Sequence, residues 1–275
     1  MQPPEAWRDL AVPALGVQTL LTVGALPRRD RSVRLRPALV LLLMHHLLAS
    51  VPMAVVGIAV GLDEPLGFGL FLIAAAPPAA LIPAYADVAE VPGGDLLAFV
   101  LIAYAVALGL TPLLVYLGAG EVVGVGTIGL TLGGGLVVPA ILARALHPQI
   151  ARLGQRARRA AVNATVAVIC FGLGGGIVEG LGSSQVGAGG LALTAVALAV
   201  RSFGGAAVAA RFAPLGLRAQ APLAVAFKNV ALAAAVGGSL LGAAAALPGL
   251  IGFGVEILCF VVIARRRSGR PRAPG

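Results

Sequence analysis

The chain has 275 residues, of which 59% are hydrophobic and 11% are charged, and its mean hydropathy is +0.98. A soluble fold of this length cannot bury so much apolar surface, so the composition excludes an ordinary soluble domain. The formal charge of +9 comes from short basic clusters between apolar runs, which indicates membrane topology rather than a nucleic-acid-binding surface. We therefore expect a polytopic, all-α integral membrane protein that has the lipid bilayer, and no nucleic acid, as a partner.

The apolar runs predict about nine transmembrane helices, because a helix needs about 20 apolar residues to cross a bilayer. In chain order the predicted spans cover residues 10–27, 37–61, 66–89, 94–118, 122–146, 161–179, 186–209, 220–244 and 247–264. The seventh is the least regular, because Arg201 lies within it and Gly204 and Gly205 are compatible with a loop or a break. We interpret Arg201 as a side chain that extends to the inner interface.

The basic clusters fix a predicted orientation. They lie at residues 28–36, 144–159, 211–218 and 265–272, and nine spans place all four on one side of the membrane. The connections on the other side contain Asp63, Glu64, Glu121 and Glu179. The positive-inside rule then places the N-terminus outside and the C-terminus in the cytoplasm. A composition rich in alanine, glycine and arginine indicates a high-GC bacterial genome, and hence the bacterial inner (plasma) membrane.

Two of the predicted spans carry residues that interrupt a helix. Pro77, Pro78 and Pro83 lie within residues 66–89, and each proline removes a backbone donor and clashes with the preceding turn. Residues 220–244 contain Lys228 and Asn229 at mid-depth, where polar side chains need partners or water.

The two interrupted spans run in opposite directions, and each is followed by one further helix. This arrangement predicts an inverted repeat, with residues 1–118 as a first half that lacks its leading helix and residues 119–275 as the second half. Discontinuous helices at matching places in two inverted halves indicate a secondary transporter, because the helix ends direct backbone dipoles towards the bilayer centre.

The same segments resemble the bile acid:sodium symporter family and its wider superfamily of arsenite and auxin-type carriers. The residues that carry the resemblance are Ala76-Pro77-Pro78-Ala79-Ala80, Gly93-Gly94-Asp95-Leu96, Thr111-Pro112 and Phe227-Lys228-Asn229-Val230-Ala231-Leu232-Ala233. The resemblance implies a panel domain and a core domain, two broken helices that cross near the membrane centre, and alternating access for organic anions. Family members with nine helices lack the first helix of the first repeat.

This chain departs from the sodium-coupled members of the family at two positions. Those members carry a glutamate and a glutamine four residues apart, and the matching positions here are Ala224 and Lys228. An ammonium group repels sodium, so we expect a carrier of a small organic anion that is not sodium-coupled through these positions. The predicted substrate and ion site comprises Pro77, Pro78, Ala79, Ala224, Lys228, Asn229 and Glu256.

Lys228 is the only lysine in the chain, and two interpretations of it stay open. It either pairs with an anionic substrate or carries a coupling proton, or else it has a structural role, paired with Glu256 or extended to an interface. Glu256, within the last span, is either a proton relay or a structural partner of Lys228 or Arg201.

Other classes of function find less support in the sequence. His45 and His46 are adjacent and have no metal-ligand partner at helical spacing, so we expect neither a metal nor a cofactor. An intramembrane enzyme needs a convergent catalytic set, and no such set is visible. We therefore expect a protein that is not an enzyme. The other alternative, a noncatalytic scaffold, would not need broken helices.

Overall fold

The computed structural model describes residues 34–119, 138–154 and 186–268, together with single residues within 13–24 and 157–164. These residues form helices joined by turns and short extended segments. In chain order the helices are α1 (Leu35–Val60), α2 (Pro65–Ala75), α3 (Ile82–Val88), α4 (Gly94–Ala119), α5 (Val138–Ala145), α6 (His147–Arg152), α7 (Ala188–Phe212), α8 (Ala221–Ala226), α9 (Val230–Leu241) and α10 (Ala243–Ser268).

Four of these helices, α1, α4, α7 and α10, are long and apolar enough to cross a membrane, so the chain is a multi-pass membrane protein. They correspond to the predicted spans at 37–61, 94–118, 186–209 and 247–264. The predicted spans at 66–89 and 220–244 are each divided, into α2 and α3 and into α8 and α9. Those at 10–27, 122–146 and 161–179 lie mostly outside the described residues, and a total of nine stays a prediction.

The long helices α1 and α7 each contain one π-helical turn near the middle. The turn in α1 covers His46–Ser50, and the turn in α7 covers Val200–Gly204. A π-turn holds one residue more than an α-turn, so it changes the face on which the following side chains lie. The possibility of a loop at Gly204 and Gly205 was therefore wrong: the helix continues through both glycines to Phe212.

Polar side chains join the start of three helices at one end of the molecule. The Arg34 guanidinium, before α1, binds both carboxylate oxygens of Asp95 in the first turn of α4. Gln220, before α8, donates to Asp95 Oδ2 at 3.3 Å and to the Pro92 carbonyl at 3.0 Å. Two of these connections, those before α1 and before α8, contain residues of the basic clusters at 28–36 and 211–218.

An apolar cluster marks the opposite end. Leu66 at the start of α2 packs with Val186 and Leu191 at the start of α7, and with the first turns of α10. Thus α1 starts at the polar end, whereas α7 starts at the apolar end and α8 follows it from the polar end. The helices α1 and α7 run in opposite directions.

The described chain contains two groups of elements in the same order. Each group has a long helix with a central π-turn, a divided helix and a second long helix. The first helical group covers residues 34–119 and the second covers residues 186–268. The equivalent helices α1 and α7 run in opposite directions.

Glycines let α2, α9 and α10 approach closely. A Cβ atom built on Gly69 would lie 2.4 Å from the Ala245 carbonyl oxygen, and one built on Gly237 would lie 2.5 Å from the same oxygen. Gly249 faces the Val230 carbonyl oxygen at 2.5 Å by the same construction. Small residues at helix interfaces are the usual means of association in a membrane, where apolar side chains gain little by leaving lipid.

Substitution of Gly69 by alanine should therefore destabilise the protein, because the new methyl group overlaps the backbone of Ala245. Overpacking of this kind costs about 1–3 kcal/mol, and it should appear as a lower melting temperature in detergent. Gly109→Ala is the matched control, since nothing lies within 4 Å of a Cβ atom at Gly109. Equal melting temperatures for the two variants would contradict the close contact of α2 with α10.

Candidate functional site

The two divided helices meet where their helical structure stops. Residues 76–81 separate α2 from α3, and residues 227–229 separate α8 from α9. The two extended segments pair antiparallel at Pro78 and Lys228. The backbone amide of Asn229 donates to the Pro77 carbonyl at 2.7 Å, and the backbone amide of Ala79 donates to the Phe227 carbonyl at 3.2 Å. Both predicted interruptions are present, and the segments bind each other through their backbones.

The prolines explain the break in the first of these segments. Pro77 and Pro78 follow Ala76, the residue that ends α2 as its C-cap, and neither can donate a backbone hydrogen bond to continue the helix. Pro83 was predicted to interrupt a helix as well, but it does not. It lies in the first turn of α3, where a helix tolerates proline.

Side chains from other helices bind the carbonyl groups that this break leaves free. The Thr111 hydroxyl donates to the Ala75 carbonyl at 2.8 Å, and the Tyr104 hydroxyl donates to the Pro78 carbonyl at 2.6 Å. The Lys228 ammonium donates to the Ala74 carbonyl at 3.0 Å. A buried carbonyl without a partner costs about 1–3 kcal/mol, so these three donors stabilise an otherwise costly break.

The second break is satisfied in a similar way. The Ala224 carbonyl lies 2.6 Å from His45 Nδ1, which donates the proton because a carbonyl can only accept. Asn229 caps the N-terminus of α9, with its Oδ1 accepting from the Leu232 amide at 3.0 Å. A cap of this type favours the start of a helix, so Asn229 both ends the extended segment and begins α9.

Lys228 is one of the most buried residues of the chain, with 1% of its surface exposed. Its ammonium donates to the Ser50 hydroxyl in the π-turn of α1 at 2.8 Å, besides the Ala74 carbonyl at the end of α2. Within the structural interpretation of Lys228, extension to an interface is wrong, because the side chain is buried. A direct ion pair with Glu256 is also absent from the described contacts, because it is the Lys228 backbone amide that donates to Glu256 Oε1, at 2.9 Å.

Glu256 instead forms its ion pair with Arg201. Arg201 Nη2 lies 2.5 Å from Glu256 Oε1, and the Arg201 side chain is fully buried. The interpretation that Arg201 extends to the inner interface was therefore wrong. The physical reason is that α10 presents a carboxylate opposite the π-turn of α7, so the guanidinium gains an ion pair inside the protein.

The described residues buried around the breaks have an unbalanced charge. Two of them are cationic, Lys228 and Arg201, and one is anionic, Glu256. Arg201 Nε and Nη1 and His45 Nε2 also lack a hydrogen-bond partner among the described residues. A buried charge without a counter-charge is strongly unfavourable, so this region favours binding of an anion or loss of a proton.

A small cavity lies beside these charges, between the two extended segments and α10. Its lining includes Ala79, Tyr85, Lys228, Asn229 and Glu256. The cavity volume is about 40 Å³. One water molecule needs at least about 10–15 Å³ by the same measure, so this conformation has room for a few water molecules but not for an organic solute.

The structure brings most of the residues predicted for the site together. Ala79, Lys228, Asn229 and Glu256 line the cavity, and Pro77 and Pro78 form the pairing beside it. Ala224 lies away from the cavity, one turn before the break. Sequence reasoning missed His45, Ser50, Tyr104 and Thr111 as partners of the breaks. Their signal was a polar atom at mid-depth in an apolar helix, which shows the need for a partner but does not identify it.

No protein-family model matches the chain, and no curated protein matches it either. The resemblance to the symporter family therefore rests on the motifs alone. Functional inference depends on the geometry and charge of the residues around the two breaks.

The ion pair between Arg201 and Glu256 can be tested by a double-mutant cycle. Arg201→Gln and Glu256→Gln should each lower the melting temperature strongly, because removing one partner of a buried pair costs about 3–5 kcal/mol. The double variant should lose clearly less than the sum of the two, since the removed partners interact directly. Additive losses would contradict the pair.

Substitution of Tyr104 by phenylalanine removes the hydroxyl that donates to the Pro78 carbonyl. The same hydroxyl accepts a hydrogen bond from Asn229 Nδ2 at 3.3 Å, which is also lost. The expected cost is about 1–3 kcal/mol, measured as a lower melting temperature in detergent. Tyr116→Phe is the control, because the Tyr116 side chain is exposed on the same helix. If both variants melt alike, the Tyr104 hydroxyl does not stabilise the first break.

Proposed function

We propose that this protein is a secondary transporter that moves a small organic anion by alternating access. The observation that carries the proposal is the excess of buried cationic side chains, Lys228 and Arg201 against Glu256, beside a cavity where two broken helices meet. An anion placed against Lys228 would balance this charge. Broken helices within a membrane are tolerated where the irregular backbone is buried in protein or lines a cavity, and both conditions hold for the described residues here.

The order of the helices supports an inverted repeat. The first and second helical groups share the sequence of a long helix, a divided helix and a long helix, and α1 and α7 run in opposite directions. Transporters built in this way place their substrate site at the divided helices, near the bilayer centre. The proposed architecture has nine spans in all, with residues 1–118 and 119–275 as the two halves and with separate panel and core domains, as in the symporter family.

The cavity of about 40 Å³ gives the described conformation a place in the transport cycle. An organic anion does not fit into it, so the proposed cycle requires the two halves to move apart on one side before substrate binds.

Coupling to sodium through the usual family positions is not part of the proposal. Lys228 places an ammonium group against the Ser50 hydroxyl and the Ala74 carbonyl, oxygen atoms of the kind that sodium binds. A fixed cation there repels a mobile one. A proton is the coupling ion that the groups around the cavity favour, because lysine, histidine and glutamate side chains all exchange protons.

The orientation follows the positive-inside rule. Arg34, Arg211 and Arg218 lie at the polar end of the described helices, where Arg34 binds Asp95. We place this end in the cytoplasm of a bacterium, with the protein in the inner membrane and its N-terminus outside.

The proposal predicts that organic anions raise the melting temperature of the purified protein in detergent, because a ligand that binds only the folded state stabilises it. The gain is about 2.7 kcal/mol at a ligand concentration of 100 times Kd. A panel of organic anions is tested in sodium and in potassium, and the stabilisation should be equal in the two salts. Stabilisation that requires sodium would contradict the proposed coupling, and none across the panel would contradict an anion site.

Lys228→Met removes the ammonium group and keeps a side chain of similar length. This variant should melt at a lower temperature, because the Ala74 carbonyl loses its donor at a cost of about 1–3 kcal/mol, and the folded variant should lose the shift produced by anions. Arg211→Met is the matched control, because Arg211 is an exposed cation at the end of α7. An unchanged shift in Lys228→Met would show that Lys228 does not bind the anion.

A further inference from the structure

A chain of hydrogen bonds leads from Lys228, at the cavity, into the π-turn of α1. The Lys228 ammonium donates to the Ser50 hydroxyl oxygen at 2.8 Å. The same oxygen lies 3.1 Å from Nδ1 of His46, four residues earlier in α1. Ser50 is buried and His46 is half-buried. The hydroxyl group therefore stands between two side chains that can each carry a proton.

The direction of these hydrogen bonds follows from the donors that each group has. An ammonium group can only donate, so Ser50 Oγ accepts from Lys228. The single hydroxyl proton of Ser50 is then free to point at His46 Nδ1, which accepts it when the ring is neutral with its proton on Nε2. With Lys228 charged, the chain runs Lys228 N–H to Ser50 O–H to His46 Nδ1. In this order each of the two contacts has one donor and one acceptor.

The two α1 side chains lie at the two ends of the π-turn, four residues apart, and this helical spacing places them next to each other. Ser50 is the last residue of the turn and His46 is the first. The adjacent His45 lies on another face, where it binds the Ala224 carbonyl. Thus His45 stabilises the second break, while His46 contacts the Ser50 hydroxyl that accepts from Lys228 at the cavity.

We propose that Lys228, Ser50 and His46 form a proton-sharing triad in which the Ser50 hydroxyl moves one proton between the lysine and the histidine. In this step the N–H bond of Lys228 breaks as its proton passes to Ser50 Oγ, and the original Ser50 proton forms a bond with His46 Nδ1. The products are a neutral amine, an intact hydroxyl and an imidazolium. Neither oxidant nor co-reactant is needed, and the charge has moved from the cavity to α1.

The surrounding charges decide where the proton resides. Lys228 interacts electrostatically with Arg201 in α7 and with Glu256 in α10. It also interacts electrostatically with His45 and His46 in α1. Arg201 and Lys228 repel each other, so in the empty state transfer to His46 relieves repulsion at the cavity. An anion bound there attracts the proton back to Lys228. This inference rests on the proposed function, and it makes the triad the link between anion binding and proton movement.

The test uses the single lysine as a reporter. Protein labelled with ¹⁵N-lysine and ¹⁵N-histidine gives one lysine signal, from Lys228, and its titration is compared by NMR with that of the His46 ring in detergent. If the two groups share a proton, both signals should change with the same midpoints, since groups that interact by more than about one pK unit titrate as a pair. Independent midpoints in the wild-type protein would overturn the proposal.

Ser50 variants separate a relay from mere proximity. Ser50→Ala removes the bridging hydroxyl and should separate the two midpoints, whereas Ser50→Thr keeps the hydroxyl and should preserve the common behaviour. His147, outside this cluster, provides an internal control signal that should not follow Lys228. If Ser50→Ala leaves the common midpoints unchanged, the hydroxyl is not the relay. Anion-induced stabilisation of the wild-type protein is measured separately, so failure of the triad and failure of the anion site give different results.

Discussion

The structure depends on one constraint: a helix that stops inside a membrane must find partners for its free backbone groups. Here each broken segment supplies some of the partners of the other, through the pairing of residues 76–79 with residues 227–229. The remaining carbonyls bind side chains from α1 and α4 and from Lys228 itself. The cavity, the buried charges and the π-turns all lie around this pairing.

The same constraint joins stability to the proposed function. Lys228 donates to the end of α2 and also lines the cavity, so the residue that stabilises the first break is the one to which the proposed anion would bind. Glu256 Oε1 accepts from the backbone amide of Lys228 and also from Arg201, so these two residues hold the Lys228 backbone in place. In the proposed transport cycle, a movement that opens the cavity would exchange some of these contacts for contacts with the anion, and binding would in this way drive a conformational change.

Much of the fold could be predicted from the sequence, because length and hydropathy specify a membrane helix almost completely. Proline at positions 77 and 78 and the polar pair at 228 and 229 likewise predicted the two breaks. The partners of the breaks could not be predicted, since they come from helices far apart in the chain. Arg201 was one of two predicted candidates for the partner of Glu256, and the packing of α7 beside α10 selects it. The π-turns could not be predicted either, because one extra residue in a helical turn does not produce a recognisable pattern in an apolar sequence.

The pairing of the two extended segments has a consequence for evolution. It uses backbone amides and carbonyls, which every residue other than proline provides, so it places few demands on the side chains of Ala79 and Ala80. Substitutions at such positions can change the shape and polarity of the cavity while the crossing itself persists. In the proposed transporter, mutations at the centre of the molecule could therefore change the solute while the backbone pairing is retained.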